Sequence, residues 1–385
     1  MAMRVRFVLS FVVLLSAMWL ISCGHYVCGT TFGSSTCTPT GGGINQGGGG
    51  NNISVTAFVY FVDINSAQIA VEGLNVANSQ TFHPLTTFVS PSPFVGGEGA
   101  STVVNKQFLY IAGSVLNGFS IDGTTGALTP VPNNPYVIPG LTIAADPQGR
   151  FLFVGGAGVI NAFTINVDGS LTLVTGSPFS NSNGTPTQIV TDSSGKYLYA
   201  LNGSTIAEYS YQATGANAGV LTPISGSPFS AGMSMVAASG SYLLGITGST
   251  SEVSVFTIGS NGALSGGSQF PTTLAPIFLE VSPNGSFVYT FNQTDFSAQA
   301  PAQPMEGYSF SAGALTALPN SPFTGLNASL GRFDQSGEFL FSVQHISNTT
   351  ESGEFAYAVD GSGTVSSNLP NYQAPNDMYA VTDAP

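Results

Sequence analysis

From Ile53 to Pro385 the chain alternates short apolar runs with polar punctuation. Apolar stretches such as those in FVYFVD and DPQGRFLFV are short, and Gly, Pro, Asn, Asp and Ser stand between them. No long Ala/Glu/Lys/Leu tract interrupts the rhythm. With 48 Gly and 23 Pro, the pattern predicts many short strands joined by tight turns, and so an all-β class. One phrase is written twice: LTLVTGSPFS from Leu171 to Ser180, and LTPISGSPFS from Leu221 to Ser230.

The phrase closes a longer repeat. A turn such as DPQGRFLFV comes first, then a strand pair around GVINAFTINVDGSL, then LTxxxxSPF. Units begin near Ser101, Thr142, Gln188, Met235, Phe278 and Ser329, and one lacking its start covers Ala57 to Phe94. About 40 residues per unit suits a four-stranded propeller blade. Phe94, Tyr136, Phe179, Phe229, Phe270 and Phe323 end successive units and read as aromatic plugs between neighbouring blades. Pro before most of them suits an outermost strand, whose edge can dispense with a backbone donor. The first unit lacks its innermost strand, and PNDMYAVTD (Pro375 to Asp383) resembles the opening PTQIVTD at Pro186. The expectation is a seven-bladed β-propeller closed by the C-terminal strand, which completes the first blade.

Composition adds an address. Hydrophobic residues make up 43% and charged residues only 6%, so Ser, Thr, Asn, Gln and Gly must supply the polar surface, as suits the outside of a cell. Arg4 and Arg6 precede an apolar Phe7 to Leu20, and Leu20-Ile21-Ser22-Cys23 resembles the bacterial lipobox. That resemblance implies a signal peptide over residues 1–22, lipidation of Cys23 and, with Gly24 following, an outer-membrane lipoprotein of the cell envelope. Residues 24–52 contain Cys28 and Cys37, which either close a small disulfide loop or remain free thiols, and then a Gly-rich tether. The body is expected over residues 53–385. Removing Arg4 and Arg6 leaves four Lys/Arg against 19 Asp/Glu, 4 − 19 = −15, a charge that repels nucleic acid.

The turns around Asp146, Asp192 and Asp334, followed by GxLTxxxGSPF, resemble the lactonase-type, YVTN-related seven-bladed propellers over essentially residues 53–385. Members include phosphogluconolactone hydrolases and a lactonising enzyme, so the resemblance implies the fold and admits lactone chemistry without specifying it. The residues themselves exclude several alternatives. Each turn Asp stands alone and satisfies turn geometry, no calcium loop is complete, and GxSxG, P-loop and HExxH are absent, so neither metal nor cofactor is expected. His25 belongs to the tether and His83 to outer strands, which leaves His345, in the insertion SVQHISNTTESGE, as a candidate base.

Aligning SPNG with DQSG puts Glu280 and Arg332 at one register, on innermost strands of adjacent blades, where other blades carry Ala144 or Val190. Such a pair lining a channel either positions a ligand carbonyl or carboxylate, or locks two blades together. Glu98, Asp295, Glu306 and Glu351 are further acidic candidates at the same mouth, with exposed acidic loops as their plain reading. Two functions follow. The first is a lipid-anchored, monomeric binding module whose loop face takes a protein, glycan or small molecule. The alternative is a lactone hydrolase, in which Arg332 polarises the carbonyl and Glu280 or His345 activates water.

Overall fold

The computed structural model describes residues 57–63, 68–75, 81–89, 100–123, 126–181, 184–292, 304–324, 326, 330–345, 351–366, 372–375 and 378–383. All lie within the compact unit Gln46–Pro385. The architecture is all-β. Six stretches of chain each fold into one antiparallel sheet whose four main strands follow sequence order; Thr142–Ala145, Phe151–Gly156, Val159–Ile165 and Leu171–Leu173 form one of them. A further sheet has the order Thr81–Val89, Gln68–Asn75, Ala57–Asp63, Met378–Asp383, with Tyr60 opposite Val381. The first strand of each of the six sheets neighbours the first strand of the next, from Ser101–Val104 through to Leu330–Phe333, and Met378–Asp383 touches both Leu330–Phe333 and Ser101–Val104.

The strands follow from their composition. Second strands such as Phe108–Ala112 and Tyr197–Asn202 are nearly continuous apolar runs because neighbouring sheets cover both faces. In three sheets a turn Asp caps the hairpin that leads into the second strand. Asp192 Oδ1 accepts from the Lys196 and Tyr197 amides, Asp334 Oδ1 accepts from Phe339 N, and Asp146 Oδ1 accepts from Arg150 N. Gly149 and Gly195 close their turns at φ +67° and +65°, in the left-handed region where a side chain is strained.

The repeated SPF phrase is a register device. After the short fourth strand the chain turns, and its Ser hydroxyl takes the third-strand amide that the turn would leave without a partner. Ser177 Oγ accepts from Ala162 N at 3.0 Å, Ser227 Oγ from Glu208 N at 2.8 Å and Ser321 Oγ from Gly307 N at 3.0 Å; Asn134 Oδ1 does the same for Gly118 N at 2.7 Å. Phe179 and Phe229 then rejoin the third strand opposite Ile160 and Ile206. The outermost placement expected for this phrase is observed. Phe179 packs against a core drawn from two neighbouring sheets, including Phe153 and Tyr209, as the plug reading requires.

Sheets are also tied by hydroxyls. Tyr110 donates to the carbonyl of Gly169 at 2.7 Å, Tyr199 to Gly262 at 2.8 Å and Tyr289 to Gly363 at 2.7 Å, each from a second strand to a hairpin of the next sheet. Burial raises the pKa of all three phenols well above the ordinary tyrosine value, so they remain donors. Replacing Tyr199 by Phe preserves the packing but leaves Gly262 O without its buried donor. A loss of about 1–3 kcal/mol is expected from urea midpoints at unchanged m-value; a neutral substitution would show that these cross-sheet bonds add nothing to stability.

Candidate functional site

The inner strands enclose a cavity of about 910 Å³. Successive inner strands share no backbone ladder, and polar side chains bridge them instead. Thr142 Oγ1 accepts from Ile189 N at 2.9 Å. Gln188 donates to Val236 O at 2.9 Å and accepts from Val236 N at 2.8 Å. Glu280 extends this lacing, with Oε1 at 3.5 Å from Phe333 N. Its other oxygen faces a cation.

Glu280 and Arg332 are brought together as the register alignment required: opposite Tyr289 and Phe341 respectively, they sit at the same level of adjacent inner strands. Arg332 Nη1 donates to Glu280 Oε2 at 2.6 Å, and the guanidinium lies over the Phe278 ring with Cζ 5.0 Å from its centroid. The Glu280 side chain is 14% exposed and the Arg332 side chain 44%. Glu280 lies deep in the molecule with an edge open to the cavity, while half of Arg332 faces its water. Burial pushes the Glu280 carboxyl above the ordinary range, and Arg332 offsets part of that rise. Among the described residues, Nε and Nη2 of Arg332 hold no hydrogen bond, which leaves them free for an oxygen in the cavity.

The remaining candidates separate sharply. Glu306 begins the strand Glu306–Ser311 and is only 3% exposed, which corrects its assignment as an acidic residue open to ligand at the mouth. Its oxygens accept from Thr273 N at 2.9 and 3.0 Å, from Leu274 N at 3.2 Å and from the Tyr308 hydroxyl at 2.5 Å. Thr273 and Leu274 lie in the connection that follows the strand Leu264–Pro271, so the carboxylate staples that connection to the next sheet. His345 ends the strand Phe339–His345 and Glu351 opens Glu351–Val359, with His345 opposite Ser352; their side chains lie outside the described residues. Glu98, Asp295, Cys23, Cys28 and Cys37 also lie outside them.

Sequence reasoning missed Glu208. Buried in the strand Thr205–Ser210, it accepts from Leu264 N of the next sheet at 2.7 Å, and burial raises its pKa. A lone Glu within the alternating TIAEYSY was the available signal. Arg150 and Lys196, by contrast, sit in hairpin turns, and Arg150 bridges Asp146 to the carbonyl of Gly195 at 3.1 Å. No group of three or more His, Cys, Asp or Glu suited to a metal occurs among the described residues.

Solved structures place this geometry in context. A periplasmic gluconolactonase of Pseudomonas aeruginosa aligns at 19% identity and TM-score 0.62, covering 85% of this chain and 99% of its own. The chain has a lactonase-like propeller fold. A candidate 6-phosphogluconolactonase from Bacteroides uniformis aligns at 18% identity and TM-score 0.63, over 85% of this chain and all of its own. A Lactobacillus plantarum protein follows at 17% and 0.61, covering 86% and 99%. No family model matches the propeller, and no curated protein matches it in sequence.

The raised carboxyl of Glu280 gives the propeller a pH signature. In the unfolded chain this group ionises in the ordinary carboxylate range, but in the fold it ionises at higher pH. Its stabilising contribution is therefore complete below the unfolded pKa and is lost as pH rises through the folded value. Glu280→Gln carries no titrating proton. Urea midpoints should shift in favour of the variant, relative to the parent, as pH rises above the ordinary carboxylate range. A difference that stays constant with pH would show that Glu280 titrates normally.

Proposed function

We propose that the chain is a lactone hydrolase whose site is the Glu280–Arg332 pair in the central cavity. One observation carries this reading: a carboxylate with a raised pKa and a half-exposed guanidinium meet at 2.6 Å on the wall of a cavity large enough for a small ligand, in a fold shared with a gluconolactonase. The chemistry needs little else. Glu280 takes a proton from water as its oxygen bonds to the lactone carbonyl carbon, and the free N–H groups of Arg332 stabilise the resulting oxyanion. Collapse breaks the ring C–O bond, and the leaving alkoxide recovers the proton from Glu280, giving a hydroxy acid.

Charge narrows the substrate. Arg332 is the sole Lys or Arg among the described residues lining the cavity, and it is already paired, while the full chain carries a net charge of −13. A lactone without phosphate suits such a site better than a phosphorylated one. We read the sheet that unites Ala57–Asp63 with Met378–Asp383 as the seventh blade, closing the ring around this cavity. The lipobox-like Leu20-Ile21-Ser22-Cys23 supports a lipid-anchored protein of the cell envelope, with the propeller outside the cytoplasm.

A second reading, a binding module without turnover, is favoured by one feature: both oxygens of Glu280 are directed at the neighbouring strand, as a purely structural lace would direct them. Kinetics separate the two. The purified chain should hydrolyse uncharged δ-lactones, with kcat/KM rising through the pKa of Glu280. Arg332→Ala should lower it about 100-fold while the protein stays folded. Absence of turnover across neutral and phosphorylated lactones would leave the binding module. For the anchor, Cys23→Ala should abolish labelling by fatty acid in a bacterial host, and labelling that persists would rule out lipidation at that residue.

A further inference from the structure

We infer that Phe278 is a positioning residue for Arg332, and that Gly331 is the residue that lets the aromatic pair behind the guanidinium close up. The kinetic consequence rests on the hydrolase reading; the geometry does not. On three inner strands the residue at this register reaches over to the backbone of the next strand: Thr142 Oγ1 accepts from Ile189 N, Gln188 Oε1 from Val236 N, and Met235 Sδ from Leu279 N at 3.4 Å. Phe278 holds the same register on the strand Phe278–Val281, opposite Phe291, and a phenyl ring has no lone pair to offer. The receiving position changes with it. Ile189, Val236 and Leu279 are large and aliphatic, whereas the corresponding residue of the strand Leu330–Phe333 is Gly331. Two departures from the repeat meet at the gap that carries the charge pair.

Together they build a support. Arg332 Cζ lies 5.0 Å from the centroid of the Phe278 ring, and that ring meets the fully buried Phe291 edge to face, with centroids 5.8 Å apart at 73°. Phe291 in turn lies against Gly331: a Cβ there would stand 2.4 Å from its Cζ and 2.9 Å from its Cε1, so any other residue would displace the ring. The backbone that carries Arg332 and the aromatic pair that supports its guanidinium are therefore packed directly on one another. Glu280 alone would not fix the cation. It accepts from Nη1, and a single bond leaves a half-exposed arginine free to pivot about that contact. Attraction to the ring face opposes the swing and keeps Nε and Nη2 in place. Donors already in place stabilise an oxyanion without reorganising as its charge develops.

Nuclear magnetic resonance of the full chain reads the support directly. The ring current of Phe278 should shift the guanidinium and δ-methylene protons of Arg332 upfield of those of an exposed arginine, with assignment by their disappearance in Arg332→Ala. Phe278→Leu should abolish the shift, Phe278→Tyr should keep it, and Gly331→Ala, which forces Phe291 against Phe278, should reduce it. In hydrolysis of δ-valerolactone, Phe278→Leu should lower kcat about tenfold at nearly unchanged KM, and Phe278→Tyr should recover most of that loss. A parent Arg332 signal at the exposed position would overturn the inference without any variant. A shift that survives Phe278→Leu, a parent-like kcat in that variant, a loss confined to KM, or a failure of Phe278→Tyr to recover activity would each do the same. If the shift is present and Phe278→Leu removes it, but the parent cleaves no lactone, the support of Arg332 stands and the hydrolase reading falls, so the two failures are distinguishable.

Discussion

A sheet ends where its backbone partners end, and the sheets of this protein meet their neighbours without any shared ladder. Everything that holds neighbouring sheets together must therefore cross those gaps by side chains. Apolar packing does most of it: Phe151, Phe153 and Val174 of one sheet bury against Ile189, Leu198 and Tyr209 of the next. Directionality comes from the polar links, in which a side chain on one sheet meets a main-chain group on another. The phenols of Tyr110, Tyr199 and Tyr289, the amide of Gln188 and the carboxylates of Glu208 and Glu306 all take part. Buried carboxylates are costly without partners; Glu208 Oε1 accepts from Leu264 N of the next sheet, and both oxygens of Glu306 accept from backbone N–H groups of the connection that follows the preceding sheet.

The candidate site grows out of the same requirement. At three gaps between inner strands the link is neutral: a threonine, an amide or, between Met235 and Leu279 N, a thioether sulfur. At one gap it is an ion pair. Glu280 reaches Phe333 N much as Gln188 reaches Val236 N, but it brings a negative charge and a cationic partner with it. A neutral link would hold the strands equally well, since buried ion pairs contribute little net stability over apolar or neutral substitutes. The surplus is chemical: a carboxyl with a raised pKa, a cation stacked on Phe278 with donors to spare, and a cavity in front of both.

The same accounting explains why the other charged residues are poor candidates. Glu306 is held by two backbone amides and the Tyr308 hydroxyl, Glu208 is buried and tied to Leu264 N, and Arg150 is held by Asp146 and Gly195 in a hairpin turn. In a chain with six Lys and Arg in total, a cation that faces a cavity is the exception.

Strand order, the all-β class and the place of the repeated phrase could be read from the chain because they are local. A period-2 apolar run, a turn Asp and a Ser-Pro-Phe ending each act within one sheet, so each repetition restates them. Register between Glu280 and Arg332 was legible for the same reason: two copies of one motif place their third inner-strand residues at one level. What the chain could not announce is which side chain reaches across a gap. Glu306 read as a mouth acid and Glu208 passed unnoticed, because their partners are backbone amides 32 to 56 residues away that carry no mark in the sequence. Whether a carboxylate is buried and occupied or left facing a cavity depends on how neighbouring sheets close upon it, and only the tertiary structure decides that.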